Sequence, residues 1–177
     1  MSLTVREFWA VIHGMGLGAI FLLAFAGGLA GLWSLRPEWV TGAGIQERLR
    51  RLRDGTWIMA IVAWLTVITG TYIVYPWYRA KPLARATDLS LFPRSYLLAN
   101  PNLAAWHTFG MEWKEHVAWL SPMLATAVAF VVVRYGPKLG DEEKIRRALI
   151  VLFTLAFAAA AVAGLFGAFI NKVAPTR

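Results

Sequence analysis

The run Trp106-His107-Thr108-Phe109-Gly110-Met111-Glu112-Trp113-Lys114-Glu115-His116 gathers two imidazoles, two carboxylates and an ammonium group. It leads directly into an apolar segment, Val117 to Val133. Ionisable side chains at the mouth of a membrane helix are costly, which makes them functional candidates by default. Histidine is a common ligand of metals and of haem iron. His116 is therefore read as a metal ligand, to a haem. Glu112 lies four residues before it, one helical turn away, and could orient the ring through its second nitrogen. Glu115 follows His107 on the other face.

Three chemistries compete for these residues. In the first, His116 shares a haem b with a histidine from another helix. In the second, Glu112, Glu115 and His116 hold a non-haem metal such as copper, zinc or iron. In the third, Glu112 or Glu115 passes protons to or from a quinone. A plainer alternative needs no cofactor: an amphipathic collar at the bilayer surface, with Glu and Lys paired and Trp106, Trp113 and Trp119 as anchors.

His13 is the histidine that could meet His116. It lies four residues inside Trp9, and His116 lies three inside Trp113. At about 1.5 Å per residue those depths agree to within about 2 Å. A haem on edge between the two helices would have Gly16, one turn from His13, clearing room for the macrocycle. Arg79, Lys81, Arg94 and Lys114 would be in reach of its propionates. His107 cannot share that iron, because it sits about 180° around the helix and about 13 Å further out. It is left as a ligand of a second metal, a partner contact or an ordinary interfacial histidine.

The elements that must position these groups are membrane helices. The chain has 177 residues, 58% of them hydrophobic, with a mean hydropathy of +0.54. Four apolar blocks, near 8–33, 57–78, 113–134 and 148–170, each reach the length of about 20 residues that crosses a bilayer. Backbone hydrogen bonding in lipid favours helices. The expected fold is all-α, a single membrane domain over 1–177 forming an integral membrane four-helix bundle. The apolar run after Met1 is longer than a secretory signal core, so it is read as a retained first span. Net charge is +8, but the basic residues lie in connections where lipid headgroups account for them, and nucleic acid is not an expected partner. The absence of cysteine excludes disulfides and iron–sulfur ligation by this chain.

Within the first span, Gly14 and Gly18, and Gly27 and Gly31, make GxxxG pairs that suit close helix packing. The stretch Arg36 to Gly55, with its Arg48–Arg53 run, reads as a membrane-hugging turn. The second span ends in Tyr72, Tyr75, Trp77 and Tyr78, an interface belt, and is read as scaffold. The loop from Arg79 to Asn102 connects, meets haem propionates or docks another subunit. Pro122 is expected to kink the third span, Asn102 or Pro101 to open its helix, and Asp141 to cap the fourth. Lys and Arg number seven on the side of the termini and the long loop, against ten on the other. The positive-inside tendency puts both termini outside, in a bacterial plasma membrane.

With His13, His116 and four spans, the chain resembles in layout the four-helix membrane cytochromes b and the membrane anchors of respiratory enzymes. That resemblance implies a haem-binding electron-transfer subunit of a larger respiratory or photosynthetic-type redox complex, rather than a stand-alone enzyme. It also implies other membrane or peripheral subunits as partners and quinone as a second cofactor. Two-haem members carry four ligand histidines and this chain has three. At most one bis-histidine haem fits, unless Met15, Met111 or Met123 serves. The alternative within the same class is a haem-free structural or anchor subunit.

Overall fold

A computed structural model describes residues 3–36, 41–42 and 44–174. Every regular element among them is helical. Four helices are long and apolar enough to cross a membrane: α1 (Val5–Ser34), α2 (Gly44–Tyr78), α4 (Trp106–Gly140) and α5 (Glu143–Val173). A short helix, α3 (Pro93–Ala99), interrupts the long connection. The expected all-α four-helix membrane bundle is the architecture found, and the chain is an integral membrane protein. Arg177, counted in the charge balance, and 37–40 of the first connection lie outside the described residues.

Each membrane helix begins earlier than its apolar block, and local chemistry explains why. Thr4 caps α1: its hydroxyl accepts from the Glu7 N–H at 3.2 Å, and the Glu7 carboxylate accepts from the Thr4 N–H at 2.8 Å. This reciprocal box satisfies two N–H groups that the first turn leaves open. The Arg48–Arg53 run is helix, not a turn. Leu49, Leu52, Thr56 and Met59 are buried at helical spacing, while Glu47 pairs with Arg50 and Arg51 one turn on. The opening of α4 is set by Asn100 rather than Asn102. The Asn100 side chain accepts from the Asn102 N–H at 3.0 Å, and its carbonyl accepts from Leu103 and Ala104. Pro122 does disturb α4: the regular helix lapses at 117–119 and resumes at Leu120. Its ring displaces the carbonyl four residues back and brings no N–H. The fourth span starts at Glu143 instead of using Asp141 as a capping side chain. Buried Arg146 donates to the carbonyls of Leu139 and Gly140 at 3.0 and 2.8 Å and so satisfies the preceding turn.

The chain divides into two compact units, and each membrane helix contributes to both. Unit 2 comprises 19–64 and 120–160. Its core is aromatic and close-packed: Phe25 stacks on Phe157 at 4.0 Å and meets Phe153 at 5.5 Å. The glycines that matter for packing are Gly28 and Gly31, not the Gly27–Gly31 pair. A Cβ on Gly28 would come within 2.7 Å of fully buried Phe153, and one on Gly31 within 3.1 Å of Leu52. Gly27, Gly14 and Gly18 face open space. Gly28→Ala is therefore expected to lower stability by about 1–3 kcal/mol through overpacking. Gly27→Ala, relieved of glycine's backbone freedom, is expected to raise it by about 0.5–1 kcal/mol. Thermal unfolding of the two variants in detergent checks both signs.

Unit 1 comprises 1–18, 65–119 and 161–177. Tyr78, Leu97, Met111, Ile170 and Ala174 form its buried core, with Tyr75, Trp106 and Phe166 packed around them. All three candidate histidines belong to this unit.

Candidate functional site

Unit 1 holds three short π-helical stretches: Ile12–Gly16 in α1, Gly70–Val74 in α2 and Trp106–Met111 in α4. Such widened turns rotate the side chains that follow and are frequent at functional sites. His13 lies in the first and Gly70 in the second, and these two touch. A Cβ on Gly70 would come within 2.9 Å of His13 Cε1, so the imidazole lies against bare backbone. Its Nδ1 is 3.0 Å from the Thr69 hydroxyl. That hydroxyl already directs its proton to the Leu65 carbonyl at 2.7 Å. It must therefore accept from His13, which fixes the proton on Nδ1 and leaves Nε2 with a bare lone pair.

His107, in the third π-helical stretch, is buried and bonded on both sides. Arg94 Nε donates to its Nε2 at 3.3 Å, and its Nδ1 lies 2.9 Å from the Tyr78 hydroxyl. Because Nε2 accepts, Nδ1 carries the proton and donates to Tyr78. Both ring nitrogens are used, and neither is open to a metal. The helices α2 and α4 and the 79–102 connection are thus tied by one side-chain chain, Arg94–His107–Tyr78. Tyr75, one turn before Tyr78, stacks on it with centroids 6.2 Å apart, and Glu115 is its neighbour on α4. The Glu115 Oε1 is buried without a hydrogen-bond partner. The Trp113 indole N–H is likewise buried and unpartnered. The Arg79 guanidinium sits over the Tyr75 ring at 5.3 Å.

Lys114 points toward α5. A Cβ on Gly167 would lie 2.8 Å from its Nζ, so the ammonium rests against the bare glycine backbone of α5. It is close enough to His13 for its charge to act on that ring. Among the described residues it has no hydrogen-bond or ion-pair partner. One layer of unit 1 therefore draws on all four membrane helices: His13 of α1 on Gly70 of α2, and Lys114 of α4 on Gly167 of α5.

His116 stands apart from this layer. Its side chain is 72% exposed, with Nδ1 on the carbonyl of Glu112 at 2.9 Å and 3.7 Å from that residue's carboxylate. A carbonyl only accepts, so Nδ1 carries the proton and Nε2 is free. The reason His116 and His13 do not meet is rotational. Lys114 is the residue of α4 that faces inward, and two residues later the helix has turned by about 200°. A single haem held by both imidazoles does not fit this arrangement, although each presents a bare Nε2.

The remaining candidates sort by the same geometry. Gly16 meets only Ile12 of its own helix, so it opens no slot beside His13. Arg94 is held on His107 Nε2, and Lys114 rests on Gly167. Met111 is buried in the unit's core, while Met15 and Met123 face outward. Glu112 and His116 share a face that Glu115 does not. Among the described residues no three His, Asp or Glu side chains come together as a metal would require. Thr69, Tyr75 and Tyr78 were missed by sequence reasoning. The available signal was the i, i+3 spacing of the two tyrosines, which places both on one face.

Compared with protein families, curated proteins and solved structures, the chain matches none.

Proposed function

We propose that the chain is a quinol-linked subunit of a membrane redox complex, in which buried groups of unit 1 exchange the protons that accompany electron transfer. The observation that carries this reading is Glu115: a carboxylate on a membrane helix, beside Tyr75, with its Oε1 buried and without a hydrogen-bond partner. Intramembrane carboxylates and histidines of this kind mark proton pathways. A buried carboxylate oxygen with no hydrogen-bond partner is positioned to receive a proton. Quinol oxidation breaks two O–H bonds and releases two protons and two electrons: Glu115 Oε1 would accept one proton, the second would leave to water at the membrane face, and the two electrons would go one at a time to a one-electron carrier of a partner subunit. Quinone reduction runs the same path backwards. The fixed Arg94–His107–Tyr78 chain keeps Tyr75, stacked on Tyr78 beside Glu115, in place.

This reading makes the chain an electron-transfer subunit and not a stand-alone enzyme. Its partners are the bilayer and other membrane or peripheral subunits. The charge count supports a bacterial plasma membrane with both termini outside. The test is the lipid extract of the complex purified from native membranes through a tag on this chain. Quinone at about one per chain is expected. A complex that carries no quinone and transfers no electrons from quinol overturns the proposal.

A second reading rests on His116. Its proton is fixed on Nδ1 by the Glu112 carbonyl, its Nε2 is bare, and it faces outward. That is the tautomer a haem ligand needs. Here this chain supplies one axial imidazole at a subunit boundary and a partner supplies the other. A reduced-minus-oxidised spectrum of the complex should show a b-type α band that His116→Ala removes and His13→Ala leaves in place. A band indifferent to His116 contradicts this reading.

A further inference from the structure

The connection between α2 and α3 leaves the core of unit 1 at Tyr78 and returns to it at Pro93 and Leu97, all three buried. Tyr78 and Leu97 belong to one core with Met111 and Ile170, so the two ends are tied together. α2 closes on Tyr72, Tyr75, Trp77 and Tyr78, aromatic residues of the kind that mark the membrane boundary. Between those ends two leucines stand open, Leu83 at 84% and Leu91 at 52% exposed. Leucines that bare forgo the free energy their burial would release. Lys81 and Arg85 beside them are exposed, and neither has a hydrogen-bond or ion-pair partner among the described residues. The one acid between Arg79 and Asn102 is Asp88, and its carboxylate is engaged by the Ser90 N–H at 2.8 Å. Arg85 also sits in an unusual backbone. The Ala86 N–H donates to the Leu83 carbonyl at 3.1 Å and closes a tight turn, in which Arg85 has a φ of 71°. That left-handed conformation favours glycine, so a cation is kept at the tip of the turn against the backbone's preference.

We propose that this connection lies on the bilayer surface, with Leu83 and Leu91 in the interfacial layer and Lys81 and Arg85 on the phosphates of anionic lipid. Lipid is favoured over an acidic protein because the connection starts where a membrane helix already leaves the hydrocarbon. Its surface continues the one that the bilayer covers. Buried apolar area and attraction to anionic headgroups are the two terms that hold a segment in the interface, and this one offers both. The attraction fades within a Debye length, so it selects cations fixed close to the membrane boundary. Held there, the connection sets the depth of Tyr78 and of Arg94 at its two ends. None of this depends on Glu115 or on a quinol.

The chain has no cysteine, so one introduced thiol can carry a nitroxide at a known place. The full chain is labelled in turn at Leu83→Cys, Leu91→Cys and Glu142→Cys, the last an exposed position in the connection between α4 and α5. Each protein is placed in vesicles of phosphatidylcholine and phosphatidylglycerol. Collision with oxygen, which concentrates in lipid, is then compared with collision with a nickel chelate present in the water on both sides. The oxygen-to-nickel ratio at 83 and 91 is expected to exceed that at 142 severalfold. Arg85→Gly suits the turn and removes only the charge. Combined with Lys81→Gln, it should lower the ratio at 83 severalfold, and so should vesicles of phosphatidylcholine alone. All these positions are exposed, so the substitutions leave the core untouched. A ratio at 83 and 91 equal to that at 142 overturns the proposal. Shielding from both reagents overturns it too, since that places a protein on the connection. A high ratio that ignores both the charge variants and the lipid charge overturns the assignment of Lys81 and Arg85 to phosphate.

Discussion

Glu115→Gln is expected to lower quinol-dependent electron transfer by the purified complex by about 10²-fold or more, the usual range for losing a positioned proton acceptor. The substitution is nearly isosteric. It keeps the size and shape of the side chain, so the packing around it in unit 1 should survive. What it lacks is a group that can be protonated at the position of Oε1, now buried and unpartnered. Glu115→Asp keeps the acid but withdraws it by a methylene, and should fall between. Both variants should retain wild-type melting temperature. A severe loss of activity with unchanged stability separates proton transfer from structure, since a merely structural carboxylate would lose both together.

His107→Phe is expected to destabilise the protein by about 2–5 kcal/mol. The phenyl ring fills most of the volume but orphans two partners at once. Tyr78 is only 3% exposed and its hydroxyl would lose its bond to Nδ1, and the Arg94 guanidinium would lose its acceptor. A buried polar group left unmade costs about 1–3 kcal/mol, and more when charged. For a protein of this size that corresponds to a fall of about 5–15 °C in melting temperature. The double variant Tyr78→Phe/His107→Phe should recover part of the loss, because removing both partners costs less than removing one. Failure of the double variant to recover would mean that packing, not the hydrogen bonds, holds these residues. Arg94 comes from the long connection, so the single variant should also speed proteolysis between α2 and α3.

The membrane architecture was legible because apolar length is a one-dimensional signal. Four blocks of bilayer length became four helices, with every start shifted outward by polar residues that hydropathy does not count. Thr4 and Glu7 extended α1, and Glu47 with the arginines extended α2. The site was legible only in part. Composition marked the 106–116 run as chemical, and spacing along α1 and α4 placed His13 and the end of α4 at one depth. Which face of α4 turns inward depends on Gly167 of α5 and Gly70 of α2. Those glycines are fifty or more residues from the groups they accommodate, and they carry no chemistry of their own. The π-helical turns made the matter harder, since each adds a residue to a turn and rotates the side chains beyond it. So Lys114, expected at a propionate, became the inward cation, and His116, expected at the iron, turned outward. Tyr75 and Tyr78 had the composition of an interface belt, and only their partners Glu115 and His107 distinguish them from one.

The most direct measurement of the central claim is a redox-induced infrared difference spectrum of the purified complex. Oxidation of bound quinol should raise the C=O stretching band of a protonated carboxyl group, shifted in D₂O and missing in Glu115→Gln. A spectrum without a carboxyl band, or with the same band in both proteins, contradicts Glu115 as the proton acceptor.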